Sequence, residues 1–465
     1  MTKKAICLAQ RVVVIVCYVL LSQSFHYSQT VDNETLPAVV MLRLSFELKK
    51  PRQFTFSPAS KLLAVQREDG SVQIIDITDG HEQAVLPLAD KALYGMEWTS
   101  DGLRLLIVTA KSAALWDARV GTRLSTPIQI PRDKYFMLYE RVKLSPDEKL
   151  LLNVKQDDSI KALVLDREKA IAQVWSVESG QLKFEVKIKG TSGRAEFSPN
   201  SKQILTTSEK EDAKLWDLET GRLFASLKPP QRAVFRDGSY AEFSPDARFV
   251  IQTHEQGIHI WNSATGVLKT RIPFNRDSTD NLLNGFTPDG KMFATVQQTR
   301  GWHALTSIEL RDCETGELRL TLTARKWEDW PNQMLWSNDG RTFIAASGHK
   351  YNARIWEVET GRLKAMVPLV LTYSRIPFDF GYKDRDQLTI HPTLPVISAA
   401  SNKSVRLWST ETGELLQALD QTGGPGGWSA DGKLFLTSTT DLKTVHVWDV
   451  VTFPDPRGKL MPTAK

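Results

Sequence analysis

From residue 42 to residue 450 the chain repeats one cadence of apolar and polar positions. An apolar residue leads into a turn of Ser/Thr-Pro-Asp-Gly type, and a short apolar run follows. The turn reads Phe56-Ser57-Pro58, Trp98-Thr99-Ser100-Asp101-Gly102, Leu144-Ser145-Pro146-Asp147 and Phe197-Ser198-Pro199-Asn200. It continues as Phe243-Ser244-Pro245-Asp246, Phe286-Thr287-Pro288-Asp289-Gly290, Trp336-Ser337-Asn338-Asp339-Gly340, Ile390-His391-Pro392 and Trp428-Ser429-Ala430-Asp431-Gly432. These residue types suit a tight hairpin. Ser or Thr bonds the turn backbone, Pro fixes φ, Asp favours the next position and Gly accepts φ > 0. The runs that follow, such as Leu62-Leu63-Ala64-Val65 and Leu105-Leu106-Ile107-Val108, have the length of strands.

A second mark closes each apolar stretch. It is Ile75-Asp76, Trp116-Asp117, Trp175-Ser176, Trp216-Asp217, Trp261-Asn262, Arg311-Asp312, Trp356-Glu357, Trp408-Ser409 and Trp448-Asp449. All but the last lead into a Gly turn, as in Thr220-Gly221 and Thr265-Gly266, and then into a fourth short strand. Each unit therefore reads strand, tight turn, strand, loop, strand, Gly turn, strand. Successive second marks lie 40 to 59 residues apart. Repeats near 40–45 residues with four strands and a Trp-Asp mark are the signature of propeller blades. The chain resembles the WD40-repeat family in its bacterial-style form with strong Phe-Ser-Pro-Asp-Gly turns, over nearly all of 42–450. It departs from that family in one respect. The Gly-His pair that opens a repeat is largely missing, which points to irregular blades.

The expected fold is all-β, a single closed β-propeller of four-stranded WD40-like blades. Nine repeats suggest nine blades. Eight blades with one distorted repeat are the alternative, the first and sixth units being the weakest. Closure is readable at the ends. The last repeat runs into Phe453-Pro454-Asp455-Pro456, where two prolines oppose another ladder strand. Leu42, Leu44, Phe46 and Leu48 alternate with polar residues ahead of the first turn. Residues 42–48 are therefore expected to complete the last blade.

Upstream, Lys3, Lys4 and Arg11 precede the apolar run from Val12 to Leu21, and Ser22-Gln23-Ser24 supplies small residues. That is the layout of a secretory signal peptide. The apolar run is about half the ~20 residues that span a bilayer. The chain then divides into a signal peptide 1–24, a linker 25–41, the propeller 42–450 and a tail 451–465. An extracytoplasmic location, periplasmic or secreted, is expected, with an N-terminal membrane anchor as the alternative. Of the three cysteines, Cys7 and Cys17 fall in the signal segment, so Cys313 has no partner for an intramolecular disulfide. Three of the charges behind the formal net +5 belong to residues 1–24, which hold no acid. The remainder is nearly balanced and shows no basic stripe, which argues against nucleic acid.

Ten of the thirteen tryptophans occupy repeat positions and are expected in the core. Trp302, Trp327 and Trp330 do not. In a four-stranded meander the first and third turns of each unit lie on one face, and the remaining loops lie on the other. The first set is short throughout. The insertions, 126–140, 155–169, 297–306, 324–333 and 370–387, all belong to the second set. Three of them come from units six to eight and carry Trp302, Trp327, Trp330, Tyr373, Arg375, Phe378, Phe380 and Tyr382. Aromatics with Arg on surface loops of a rigid scaffold have the composition of a binding hot spot. Mutual packing of those rings is the competing reading. Asp157-Asp158 lacks the further oxygen ligands of a calcium loop. No nucleophile elbow, His-Glu-x-x-His, phosphate loop or Cys-x-x-Cys is present, and no catalytic, metal or cofactor residue is assigned. The expected activity is that of a monomeric scaffold for a protein or peptide partner. The alternative is a propeller enzyme, lactonase-like or quinoprotein-like, with its site at the central channel.

Overall fold

The computed structural model describes residues 38–452, other than 49–52, 60, 89, 91, 130–141, 157–168, 191–192, 209, 230–239, 255–256, 274–277, 300–305, 324–330, 348–351, 370–387, 401–403, 421, 423–426, 440 and 442. These described residues form nine antiparallel sheets and no helix. We number the blades I to IX in chain order: 53–86, 93–129, 142–189, 194–227, 240–273, 278–323, 331–368, 388–420 and 427–452. Each sheet runs in order from its first strand to its fourth. The nine-blade expectation holds, and neither weak repeat is lost.

The core is divided among nine apolar clusters, one at each seam between consecutive blades. The first strands of neighbouring blades approach one another, whereas the fourth strands carry the exposed positions. First strands therefore surround the axis and fourth strands form the rim. The ring closes where Leu434, Leu436, Val445 and Val447 of blade IX pack on Leu63, Val65, Ile75 and Ile77 of blade I.

Closure uses a strand from the start of the chain, as the alternation of Leu42, Leu44 and Phe46 implies. That strand is Ala38–Glu47, four residues longer at its beginning than the pattern suggested. It pairs antiparallel with Thr444–Thr452 as the fourth strand of blade IX. The Gln417 amide of blade VIII holds it in place, donating to the Val40 carbonyl and accepting the Val40 N–H, both at 3.0 Å.

Side-chain chemistry of the repeat fixes one face. In seven blades the turn Ser or Thr hydroxyl donates to the Asp or Asn two residues on, as Ser244 does to Asp246 at 2.6 Å. The same hydroxyl accepts the N–H that opens the second strand. The Gly turn after the second mark in blades I to VIII sits against the outer edge of the preceding blade. A Cβ on Gly266, at φ +68°, would lie 2.3 Å from the Ala225 Cβ. Gly80 rests on Leu44 and Phe46 of the closing strand. Glycine is needed there twice over, for its positive φ and for the close approach.

The second-mark tryptophans also need acceptors for their indole N–H. Trp216, Trp261 and Trp448 donate to Thr206 Oγ1, Gln252 Oε1 and Thr437 Oγ1 at 2.9, 3.1 and 2.9 Å. All three acceptors occupy one register position on the second strand. Blade VI has Arg311 at the Trp position. Its guanidinium donates to Glu309 at 2.6 and 3.0 Å and to the Gly316 carbonyl at 3.1 Å. A half-buried ion pair thus replaces the ring.

Candidate functional site

The innermost strands bring together charges that lie far apart in sequence. Glu97, Lys143, Glu196 and Glu242 occupy one register position, immediately before the apolar residue that enters the turn, in blades II to V. The equivalent residues of the other blades are Thr55, Gly285, Leu335, Thr389 and Gly427. At this register position the charges are therefore confined to one arc of four consecutive blades. Glu196 is the deepest of the group. Its carboxylate accepts the backbone N–H of Phe243, on the next blade, at 3.1 Å. Burial pushes its pKa up to about 7, against the opposing Phe243 hydrogen bond, and Glu242 adds to the rise. Glu97 is open to water yet surrounded by protein, and burial raises its carboxyl while Lys143 opposes the rise. A carboxyl poised near neutrality can both take up and give off a proton.

Sequence reasoning did not single out this arc. The available signal was a charged residue between apolar neighbours at the same turn-proximal position of four consecutive repeats. The residues it did single out, Trp302, Trp327, Trp330, Tyr373, Arg375, Phe378 and Tyr382, lie outside the described residues, as do Phe380 and Asp157-Asp158. Cys313 is fully buried, and burial with the nearby Asp246 and Asp312 raises its thiol, which keeps it in the unreactive protonated form.

No model of a known family matches the chain. In the curated proteins it is similar to the nuclear distribution protein PAC1-1 of Uncinocarpus reesii, with 24% identity over 283 residues. That match covers 57% of this chain and 59% of the relative, so the chain spans less than two thirds of the protein it matches. Among solved structures, the C-terminal WD40 domain of Sif2 superposes with a TM-score of 0.50 at 12% identity, over 90% of this chain and 99% of that one. The chain shares the β-propeller fold of WD40 domains, here with nine blades. A eukaryotic initiation factor shares the fold, with TM-score 0.53, 13% identity, and coverage of 80% of this chain and 90% of that one.

As a nine-bladed propeller the chain has two unlike faces. The short-turn face carries acids that are mostly matched by neighbouring cations, as in Asp101 with Arg104, Asp246 with Arg248 and Asp312 with Arg319. Ser337 donates to Asp339 and holds its carboxyl below the usual range. This face is close to self-neutralised. The opposite face receives every long connection, between described strands that end and begin there. No group of three or more His, Cys, Asp or Glu poised for a metal occurs among the described residues. No described helix is long and apolar enough to cross a membrane.

Proposed function

We propose that this WD40 propeller is an exported scaffold that binds a protein or peptide partner through its long-loop face. WD40 propellers in general bind protein partners. The observation that carries the choice of face is the distribution of chain length. Nine blades keep their short turns uniform on one side, while the long connections 130–141, 157–168, 300–305, 324–330 and 370–387 all join strands that end and begin on the other. Loops on a rigid scaffold carry recognition, and Trp302, Trp327, Trp330, Tyr373, Arg375, Phe378 and Tyr382 are the anchors. Export rests on the basic start, the Val12 to Leu21 run and Ser22-Gln23-Ser24.

The test is affinity capture from the native cell envelope with wild type and the Trp327→Ala/Trp330→Ala double variant. A partner held by wild type and lost by the folded variant supports the reading. Equal capture by both, or unfolding of the variant, rejects the patch. The first residue of the mature chain, read by mass spectrometry, tests export separately. A second reading, a propeller enzyme acting at its axis, is favoured by one observation, the near-neutral Glu196 carboxyl under the influence of Glu242 and Lys143.

A further inference from the structure

Blade II is the one described blade whose fourth strand is broken. Two short pieces, Thr122–Arg123 and Ile128–Gln129, share the edge of Ser112–Asp117. Ser125-Thr126-Pro127 lies between them. Pro127 has no N–H to give a ladder. The Ser125 hydroxyl turns inward and accepts the Leu115 N–H at 2.8 Å, a bond that a strand backbone normally makes. The Gly turn of blade III consequently meets Thr126, one position later than its counterparts meet theirs.

The bend opens a cleft of about 700 Å³ between blades II and III at the rim of the short-turn face. Its walls are mixed, polar side chains alternating with exposed leucines. Leu124 comes from blade II and Leu182 from blade III, 50% and 41% exposed, with the buried Val177 between strands. Its charges are unequally committed. Glu148 is held by Arg104 and by the Ser100 N–H and hydroxyl, each of the latter at 2.8 Å. Lys149 reaches only Asp147, at 4.0 Å, and Lys183 has no ion pair among the described residues. Glu178 is the one uncommitted acid in the lining.

The seam beneath has unmet polar demand. Trp175, next to the cleft-lining Ser176, has an indole N–H without an acceptor. On the same sheet face Asn153 is fully buried with neither amide atom bonded, at the register position that accepts the Trp N–H in blades IV, V and IX.

We propose that the cleft between blades II and III is a docking groove for an extended peptide segment of a partner protein. An aliphatic side chain of the segment would sit between Leu124 and Leu182, and a flanking carboxylate would face Lys149 and Lys183. The volume suits a few side chains, within the range of ordinary ligand clefts. This site is separate from the long-loop face and does not depend on it.

The experiment is selection from a random peptide library on the full-length chain, followed by fluorescence polarisation with the enriched peptides. The expected winners pair an aliphatic residue with Asp or Glu, and their binding weakens with added salt. Leu182→Glu and Lys149→Glu/Lys183→Glu are each expected to weaken binding tenfold or more. Trp327→Ala/Trp330→Ala is expected to leave it unchanged, so failure here is distinguishable from failure of the long-loop reading. Circular dichroism melts establish that the variants fold. Leu124→Ser, a milder change at the opposite wall, keeps the test decisive if Leu182→Glu does not fold. The proposal is overturned if no peptide is enriched, or if enriched peptides bind the folded cleft variants as tightly as wild type.

Discussion

A single carboxyl shows how repetition in sequence becomes individuality in space. Glu196 stands at a position that eight other repeats fill with Thr, Glu, Lys, Gly or Leu. Only in blade IV does it sink far enough to accept the Phe243 N–H and to lose most of its water. The sign of the consequence follows from linkage. Its pKa rises on folding from 4.5 to about 7. Between those values the folded chain keeps a proton that the unfolded chain has lost. Its favourable contribution is complete below pH 4.5 and disappears as pH climbs through 7. Glu196→Gln keeps an oxygen for Phe243 and removes the titration. The variant should match wild type near pH 4.5 and be more stable at pH 8 by up to about 3 kcal/mol. Urea melts across that range decide it, and parallel curves at all pH values would contradict the burial argument.

At the scale of the element, the tight turn between first and second strands was largely legible, because each residue type in it has one job. Gly102, Gly290, Gly340 and Gly432 sit at φ 67°, 69°, 70° and 68°. Glu148, Ser201 and Ala247 take the same left-handed position at 61°, 54° and 60°. The pattern alone did not say why three turns omit glycine. Two of them use the side chain to reach the preceding blade. Glu148 bonds Ser100 and Arg104, and the Ser201 hydroxyl accepts the Asp147 N–H at 3.0 Å. Ala247 makes no such bond but buries its methyl. Replacement by glycine relieves about 1–2 kcal/mol of left-handed strain in each. For Ala247→Gly, lost burial and greater chain entropy offset the relief, leaving a change under about 1 kcal/mol. Glu148→Gly also loses a charge-assisted bond and is expected to destabilise by about 2 kcal/mol. Chemical denaturation of the two variants checks the order, and a more stable Glu148→Gly chain would show that the inter-blade bonds contribute little.

The whole molecule is a ring of seams, and what sequence revealed of it depended on distance along the chain. Blade count and closure were readable, since nine turns and an orphan alternating strand are local signals. The charged arc on the axis and the cleft between blades II and III were not. The first gathers four residues from four strands, and the second arises from how one interrupted strand leans on its neighbour. Closure carries the most consequence for the assembly as a whole. Ala38–Glu47 covers the outer edge of Thr444–Thr452. Its Val40 fills the seam with Val405, Leu407 and Leu419 of blade VIII. Leu44 and Phe46 pack at the seam with blade I and support Gly80. One strand thus serves both neighbours of its blade. A chain that begins at residue 48 would leave blade IX with three strands, a bare edge and apolar surface at two seams, and bare edges invite pairing with other chains. Compared with a chain beginning at residue 25, it should elute as larger species in size-exclusion chromatography and melt several degrees lower, since a few kcal/mol moves the Tm of a large domain by about that much. A synthetic peptide of residues 37–48 should restore part of that loss, because the strand is held by non-covalent contacts alone. If the shortened chain stays monomeric with an unchanged Tm, the ring holds through its eight covalently ordered seams, and closure by the first strand is dispensable.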